Sequence, residues 1–534
     1  MSRSTISLLE ETVDLPLLTD FDIPPPPVQK RQAFSSSRYV LAAALVLTAT
    51  TRLVYLASNR VLFSADEATT GLMVRQILHG HFYVFYAGQN YGGTMEQYLE
   101  ALMYLVLRLP QNPFTLRLPL VALSVVTCYL VYLFAKRLLG PQRAALASVL
   151  FAVLPWYNIV GTTTSLGFYV LAQMLGVAAL YFALRVGDSG GTNAKWNFIF
   201  GLTCGLAIWT SLTCVVEVVP AILWVAALVI RKPRSAGVIV SGIAIGGAPQ
   251  WICSIASGHV PIPGQPHRSS AVSERLSNLF GPITREYLGL TYNYARGGLP
   301  TWLQVLIELS FFGVLGLALF RRRRGILNLL RFRTENRSPA DMLLLIFGMV
   351  VLTFALSSST WFIGQPRYIL STYPALMIGL AAACPRRPTK KLGAIVAVIL
   401  ALWLTLTFSY FVNVVPTPTT ATRDSTLQHV AQVLVSDHET YVYGGYWTAM
   451  PLQYFAGNRL HVAVCFGAER FKPTQLQVDA RRHPVYIGST LDGSNRDIRR
   501  ALGLHHIHYR VRSIGFIWIY YHLGPSAKPT RIGL

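Results

Sequence analysis

The stretch Ser64-Ala65-Asp66-Glu67-Ala68 sets two carboxylates side by side just after an apolar segment, where charge is costly to keep. A carboxylate in that position can act as a general base, hold a metal ion or cap a helix. Asp66 as the N-cap of a helix starting there fits the spacing as well as catalysis does. The residues that follow weigh toward chemistry: His79-Gly80-His81, then Gly88-Gln89-Asn90-Tyr91-Gly92-Gly93-Thr94-Met95-Glu96-Gln97-Tyr98-Leu99. Amide, carboxylate and aromatic groups of this kind suit a hydroxyl-rich substrate, which makes Gln89, Asn90, Tyr91 and Glu96 binding candidates.

A second constellation, Trp361-Phe362-Ile363-Gly364-Gln365-Pro366-Arg367-Tyr368, opens another apolar segment and is followed by Pro374. A guanidinium at the start of such a segment is suited to a phosphate at lipid-headgroup level, and Gln365 and Tyr368 flank it. The plainer alternative is an interfacial arginine whose head snorkels to water beside a belt tyrosine. Glu217 lies a few residues inside an apolar segment, where it is either functional or near the interface and solvated. Asp20-Phe21-Asp22 matches a metal-holding D-x-D pattern, but in a Pro-rich tail with no strand around it chance explains it better. The histidines of the C-terminal part, including His505, His506 and His508, do not form a zinc-site spacing with cysteines.

These residues have to be positioned by membrane helices. Of the 534 residues 52% are hydrophobic and only 13% charged, against roughly 25% charged in soluble proteins. Mean hydropathy is +0.43, and the apolar residues come in blocks of about 20. Spans are predicted at 39–57, 115–137, 142–158, 165–184, 195–211, 213–230, 235–256, 300–320, 340–358, 367–384 and 392–413. With the N-terminus inside, the basic clusters Lys136 to Arg143, Arg185 to Lys195, Arg231 to Arg234, Arg321 to Arg337 and Arg386 to Lys391 all fall in cytoplasmic connections. That alternation accounts for much of the +23 net charge and needs no nucleic acid.

The expected fold class is therefore an α-helical polytopic membrane protein of about 11 transmembrane helices with a small C-terminal α/β extracytoplasmic domain. Residues 1–38 read as a disordered cytoplasmic tail without a cleavable signal peptide, 39–415 as the membrane domain and 416–534 as the α/β domain. Segment 93–109 carries Glu96 and Glu100, and counting it as a span would place Arg321 to Arg324 outside. It is read instead as part of an external loop, 58–114, with surface helices at about 66–79 and 94–108. A second external loop, 257–299, is long enough to serve as a lid.

Taken together, the acidic pair, the Gly-Gln-Asn-Tyr-Gly-Gly-x-x-Glu-x-Tyr-Leu stretch, Gly205-Leu206-Ala207-Ile208-Trp209 and Gln365-Pro366-Arg367-Tyr368 resemble GT-C membrane glycosyltransferases. The similarity is to the family 39 branch, which includes protein O-mannosyltransferases and the aminoarabinose transferases of lipid A. It covers about residues 39–415 and matches the C-terminal part only weakly. The resemblance implies a polyprenyl-phosphate sugar donor, a lipid, glycan or protein acceptor, and work at the outer face of a cell membrane. It maps the family's catalytic Asp onto Asp66, with Glu67 beside it, and its phosphate-contacting pair onto Arg367 and Tyr368.

The chain departs from the aminoarabinose branch at Thr69-Thr70 and at Gly93-Thr94-Met95-Glu96, and the next external loop, Gly161 to Leu166, has no acid. Glu96 is the candidate for the missing polar group, and a divalent metal, on Asp66, Glu67 or Glu96, is left open. The expected chemistry is inverting glycosyl transfer with Asp66 as base, Glu67 orienting it or holding a metal, and Arg367 with Tyr368 stabilising the leaving phosphate. A transporter or lipid flippase is the alternative, and it predicts charged or broken helices at mid-membrane and internal repeats. A non-catalytic sensor anchored by its spans is a third reading.

Overall fold

The computed structural model describes residues 31–58, 62–261, 271–292, 298–357, 364–384, 390–414 and 419–534. The segment before residue 31 with its Asp20-Phe21-Asp22 triplet, Trp361 to Ile363, Arg386 and Arg387, and part of the expected lid at 257–299 lie outside the described residues.

The first helix, α1 (Arg31–Ala57), starts earlier than the sequence implies, so the last part of the tail expected up to residue 38 is helical. Extending an existing helix needs no new nucleus, and Gln32 and Ala33 do not oppose it. The loop after α1 carries α2 (Ala65–Leu78) and α3 (Met95–Leu107). Helix α3 is 13 residues long, too short to cross a bilayer. Its polar side, Glu96, Gln97 and Glu100, is buried against the protein, while Leu102, Leu105, Val106 and Leu107 face outward. The helix thus inverts the usual pattern, in which the apolar side faces the protein.

The chain continues with α4 (Pro113–Leu139), α5 (Pro141–Val153), α6 (Trp156–Gly161), α7 (Tyr169–Asp188), α8 (Ala194–Thr210), α9 (Val215–Val229), α10 (Pro233–Gly246) and α11 (Ala248–Ser257). Short α12 (Val272–Asn278) and α13 (Thr284–Tyr287) precede α14 (Thr301–Leu330), α15 (Pro339–Leu356), α16 (Tyr373–Ala383) and α17 (Lys390–Ser409).

Every stretch predicted as a span contains a helix, but not every one is a straight, full-length helix. Six helices are long and apolar enough to cross a membrane, or seven if α10 and α11, bent by 64°, count as one. The stretch 142–158 breaks into α5 and α6 before Pro155, which has no N–H to continue the helix. Helix α14 runs on through Arg321 to Arg324 instead of ending at 320, because arginine is a good helix former. Arg322 then reaches the buried Asp341 at the start of α15, at 3.0 Å. The Gly205 motif has a packing role: a Cβ at Gly201 or Gly205 would lie 2.2 or 2.3 Å from backbone oxygens of α10, and one at Gly242 or Gly246 would strike α8 in return. Two Gly-x-x-x-Gly faces thus bring the backbones of α8 and α10 into contact.

The C-terminal part holds α18 (Thr419–Ser436), β1 (Tyr441–Gly445), α19 (Tyr446–Ala456), β2 (His461–Phe466), α20 (Lys472–Asp479), β3 (Tyr486–Ser489), α21 (Ser494–Leu504), β4 (Arg510–Ile514), β5 (Ile517–Tyr521) and α22 (Pro529–Ile532). The sheet order is β2-β1-β3-β5-β4, with β1 parallel to β2 and β3 and the other pairs antiparallel. The stretch 509–522, expected as one strand, is a hairpin turned at Gly515, whose φ is 58°. Phe63, Ala65, Ala68 and Leu72 from the first loop share one core with Leu427, Tyr446, Leu452 and Tyr454. A Cβ at Gly71 would meet the Tyr454 ring at 2.4 Å, so α2 and α19 touch through a position only glycine can fill.

Candidate active site

Ser64, not Asp66, caps α2. Its Oγ accepts the Glu67 N–H at 3.2 Å, and its own N–H donates to Glu67 Oε2 at 3.3 Å, a reciprocal capping box. The capping reading of Asp66 is therefore corrected: Asp66 stands one residue into the helix, and its side chain is free for other partners. Successive helical residues point about 100° apart. The two carboxylates consequently face different surroundings.

Asp66 faces a shielded cleft formed where the Pro366 turn and the C-terminal part come together on α2. Arg367 Nη1 donates to its Oδ2 at 3.0 Å, and the Tyr446 hydroxyl donates to its Oδ1 at 2.6 Å. Arg470 Nη2 lies 4.0 Å from the same Oδ1. Tyr86 donates to the Asp66 carbonyl at 2.7 Å. The Asp66 and Arg367 side chains keep 13% and 20% of their exposure, so the pair is shielded without being sealed. Arg367 sits in a tight turn, Pro366–Thr372, that precedes α16, where Pro366 pre-sets the backbone. It donates to the Tyr368 hydroxyl at 3.2 Å, with the Tyr169 and Tyr368 rings 5.8 and 5.2 Å from the guanidinium.

Burial and the Asp66 carboxylate push the Tyr446 phenol up, which keeps it protonated as a donor. Tyr91 is raised by burial first, and Tyr368, Arg470, Arg367 and Asp66 also act on it electrostatically.

Other candidates are placed elsewhere. Glu67 is fully buried, and Arg117 grips it with two bonds of 2.7 and 2.8 Å while Ser165 N–H adds a third at 3.0 Å. Glu96 is also buried; it accepts the Leu171 N–H at 3.1 Å, and its other oxygen has no hydrogen-bond partner. Desolvation raises it to about 7, and Glu100 beside it is raised by burial and by the Glu96 charge. Ser165 Oγ ties Glu100 into the same cluster at 2.7 Å. Asn90 donates to Val260 O, in the loop after α11, at 3.1 Å, and one buried Gln89 oxygen is unpartnered. Gln365 is half-buried and leads into the Pro366 turn. Glu217 is buried in α9 against Gly176 and has no contact with Asp66 or Arg367.

These residues do not fit a divalent cation. Asp66 faces two guanidiniums, Glu67 is committed to Arg117, and no three His, Cys, Asp or Glu side chains converge as a metal set among the described residues.

Two residues at the cleft, Tyr446 and Arg470, carry no motif in the sequence. A positional signal does exist, since both follow the carboxyl ends of the adjacent parallel strands β1 and β2, where open α/β sheets tend to bind ligands.

Residues 93–247 match the family model of dolichyl-phosphate-mannose-protein mannosyltransferase, a stretch that includes Glu96 but none of Asp66, Arg367, Tyr446 and Arg470. No curated protein matches the chain. Among solved structures, ArnT from Cupriavidus metallidurans bound to undecaprenyl phosphate superposes with a TM-score of 0.60 at 15% identity, covering 91% of this chain and 98% of that one. The apo state of ArnT from Cupriavidus metallidurans gives 0.59 at 14% identity, covering 93% and 99%. In fold, and over residues 93–247 in sequence, the chain is similar to the GT-C membrane glycosyltransferases.

Proposed function

We propose that the chain transfers a sugar from a polyprenyl-phosphate-linked donor to an acceptor hydroxyl on a lipid, glycan or protein, at the outer face of a cell membrane and with inversion. The observation that carries this reading is the 3.0 Å pair between Asp66 and Arg367, two residues 301 positions apart that belong to separate motifs. A base beside an always-charged guanidinium is the minimum equipment for displacing a phosphate from a sugar carbon.

In this reading Asp66 takes the proton of the acceptor hydroxyl while its oxygen bonds to the anomeric carbon. The carbon–oxygen bond to phosphate breaks on the opposite side, and the electron pair stays on the phosphate beside Arg367. Tyr368 orients Arg367, and Tyr91, Gln89 and Asn90 line the approach for sugar or acceptor. Glu67 becomes a positioning residue that fixes the first turn of α2, and Glu96 belongs to the buried layer beneath. The reading also takes the N-terminus as cytoplasmic and the C-terminal part as extracytoplasmic. Arg496→Cys should then be labelled from outside and Arg323→Cys from inside.

The test is incubation of the purified protein with radiolabelled polyprenyl-phosphate hexoses and pentoses. Release of polyprenyl phosphate, coupled to label in an acceptor, is the expected result. Absence of release from every such donor, by protein that is folded, would overturn the reading.

A further inference from the structure

One negative charge at the cleft faces two positive ones. Among the described residues Asp66 is the carboxylate with which both Arg367 and Arg470 pair, at 3.0 and 4.0 Å. Arg470 is a built part of the cleft: its side chain is only 10% exposed, and its guanidinium lies 5.3 Å from the rings of both Tyr86 and Tyr446. Its Nε donates to the Tyr446 hydroxyl and its Nη1 to the Ala87 carbonyl, each at 3.4 Å. Neutral partners of this kind hold the group without cancelling its charge.

The first loop also locks onto the backbone that carries it. A Cβ at Gly88, where φ is +69°, would stand 2.3 Å from Glu469 O and 2.9 Å from Arg470 Cα. Only glycine permits that approach.

We propose that Arg470, delivered by the C-terminal domain, is a second phosphate-binding residue that balances the charge of the donor and of the leaving group. The inference rests on the donor class given above. A phosphodiester donor carries one negative charge, so the donor, Asp66, Arg367 and Arg470 sum to zero. During transfer the acceptor proton passes to Asp66, the new bond forms at the anomeric carbon, and the phosphate leaves with the electron pair as a dianion. The sum is again zero. With Arg367 alone, both states would leave a negative charge uncompensated in a site largely shut off from water, where charge imbalance is costly. The C-terminal domain is thereby part of the transfer machinery, since α2 and α19 hold Asp66 and Tyr446 through one shared core.

The experiment measures binding of three lipids to the purified full-length protein: polyprenyl phosphate, a polyprenyl-phosphate hexose, and uncharged polyprenol. Arg470→Gln should weaken polyprenyl phosphate by about 10- to 100-fold, the scale of a charge-assisted contact. The loss for the hexose diester should be smaller, because a dianion gains about twice as much from a given cation. Polyprenol should be unaffected. Arg470→Met, which keeps the stem between the two rings, replaces the Gln variant if that one does not fold. Wild-type affinity for polyprenyl phosphate in the variant overturns the inference, and so does an equal loss for all three lipids, which marks a structural role. If the unaltered protein binds polyprenyl phosphate no better than polyprenol, the donor reading itself falls.

Discussion

Asp66 and Glu67 are neighbours in the chain and opposites in setting. Asp66 stands in a cleft, partly open, between groups supplied by Arg367 and by the C-terminal domain. Glu67 lies beneath it in a closed layer with Arg117, Ser165 and Glu100. A polar residue in the first layer can exchange partners with a substrate, whereas one in the second is held by bonds that the fold depends on. The comparison teaches that adjacency in sequence does not make a catalytic pair when a helix separates the two side chains by more than a right angle.

The strongest way to break the comparison is to remove Glu67. Glu67→Ala takes both carboxylate bonds from the buried Arg117 guanidinium and should cost on the order of 3 kcal/mol of stability, read as loss of folded protein in a thermal or denaturant series. A variant that folds normally and loses only turnover would put Glu67 back in the chemistry. Asp66→Asn should do the reverse. Asn can accept from Arg367 and donate to the Tyr446 hydroxyl, so the fold is kept, while turnover falls by about a hundredfold or more for want of a base. Unchanged turnover in that variant would remove Asp66 from its role.

A smaller effect sharpens the upper layer. Arg367→Lys keeps the charge but not the planar fork, and Arg367→Ala loses both, so activity should fall in the order Arg, Lys, Ala. The contact is worth roughly 1.5 to 3 kcal/mol. An arginine that merely snorkels at the interface predicts a lysine variant equal to the original in single-turnover rate.

The smallest effect concerns the lower layer and pH. Glu96 has its ordinary value of 4.5 raised to about 7 by burial, so the folded state holds its proton more tightly than the unfolded state. Its contribution is therefore complete at low pH and is lost as pH rises through about 7. Glu96→Gln, fixed in the neutral form, should match the unaltered protein near pH 4 and exceed it at about pH 8, by on the order of 2 kcal/mol. Melting curves at the two pH values decide it. A variant less stable than the original at about pH 8 but equal to it near pH 4 would show that the carboxyl is held ionised.

Hydropathy along the chain is a local quantity, and what depends on it was legible: the apolar helices, the two helices of the first loop, and the alternating strands and helices after residue 416. Asp66 and Arg367 could also be singled out locally, because each is a charge beside an apolar stretch, which needs a reason to be there. Their pairing was not legible, nor was the choice between Asp66 and Ser64 as cap, since both residue types cap helices equally well.

Composition and spacing by themselves determined that the chain is rich in long apolar helices with charged motifs at the ends of its apolar segments. Only the tertiary structure decided which charges meet. Tyr446 and Arg470 reach Asp66 because β1 and β2 end at the same edge and α19 docks on Gly71. Glu67 finds Arg117, 50 residues away, because α2 and α4 both pack against α3. The physical reason is common to all of these. Local periodicity states that a side chain must leave water or lipid, whereas its partner is set by the packing of segments that the chain separates by tens to hundreds of residues.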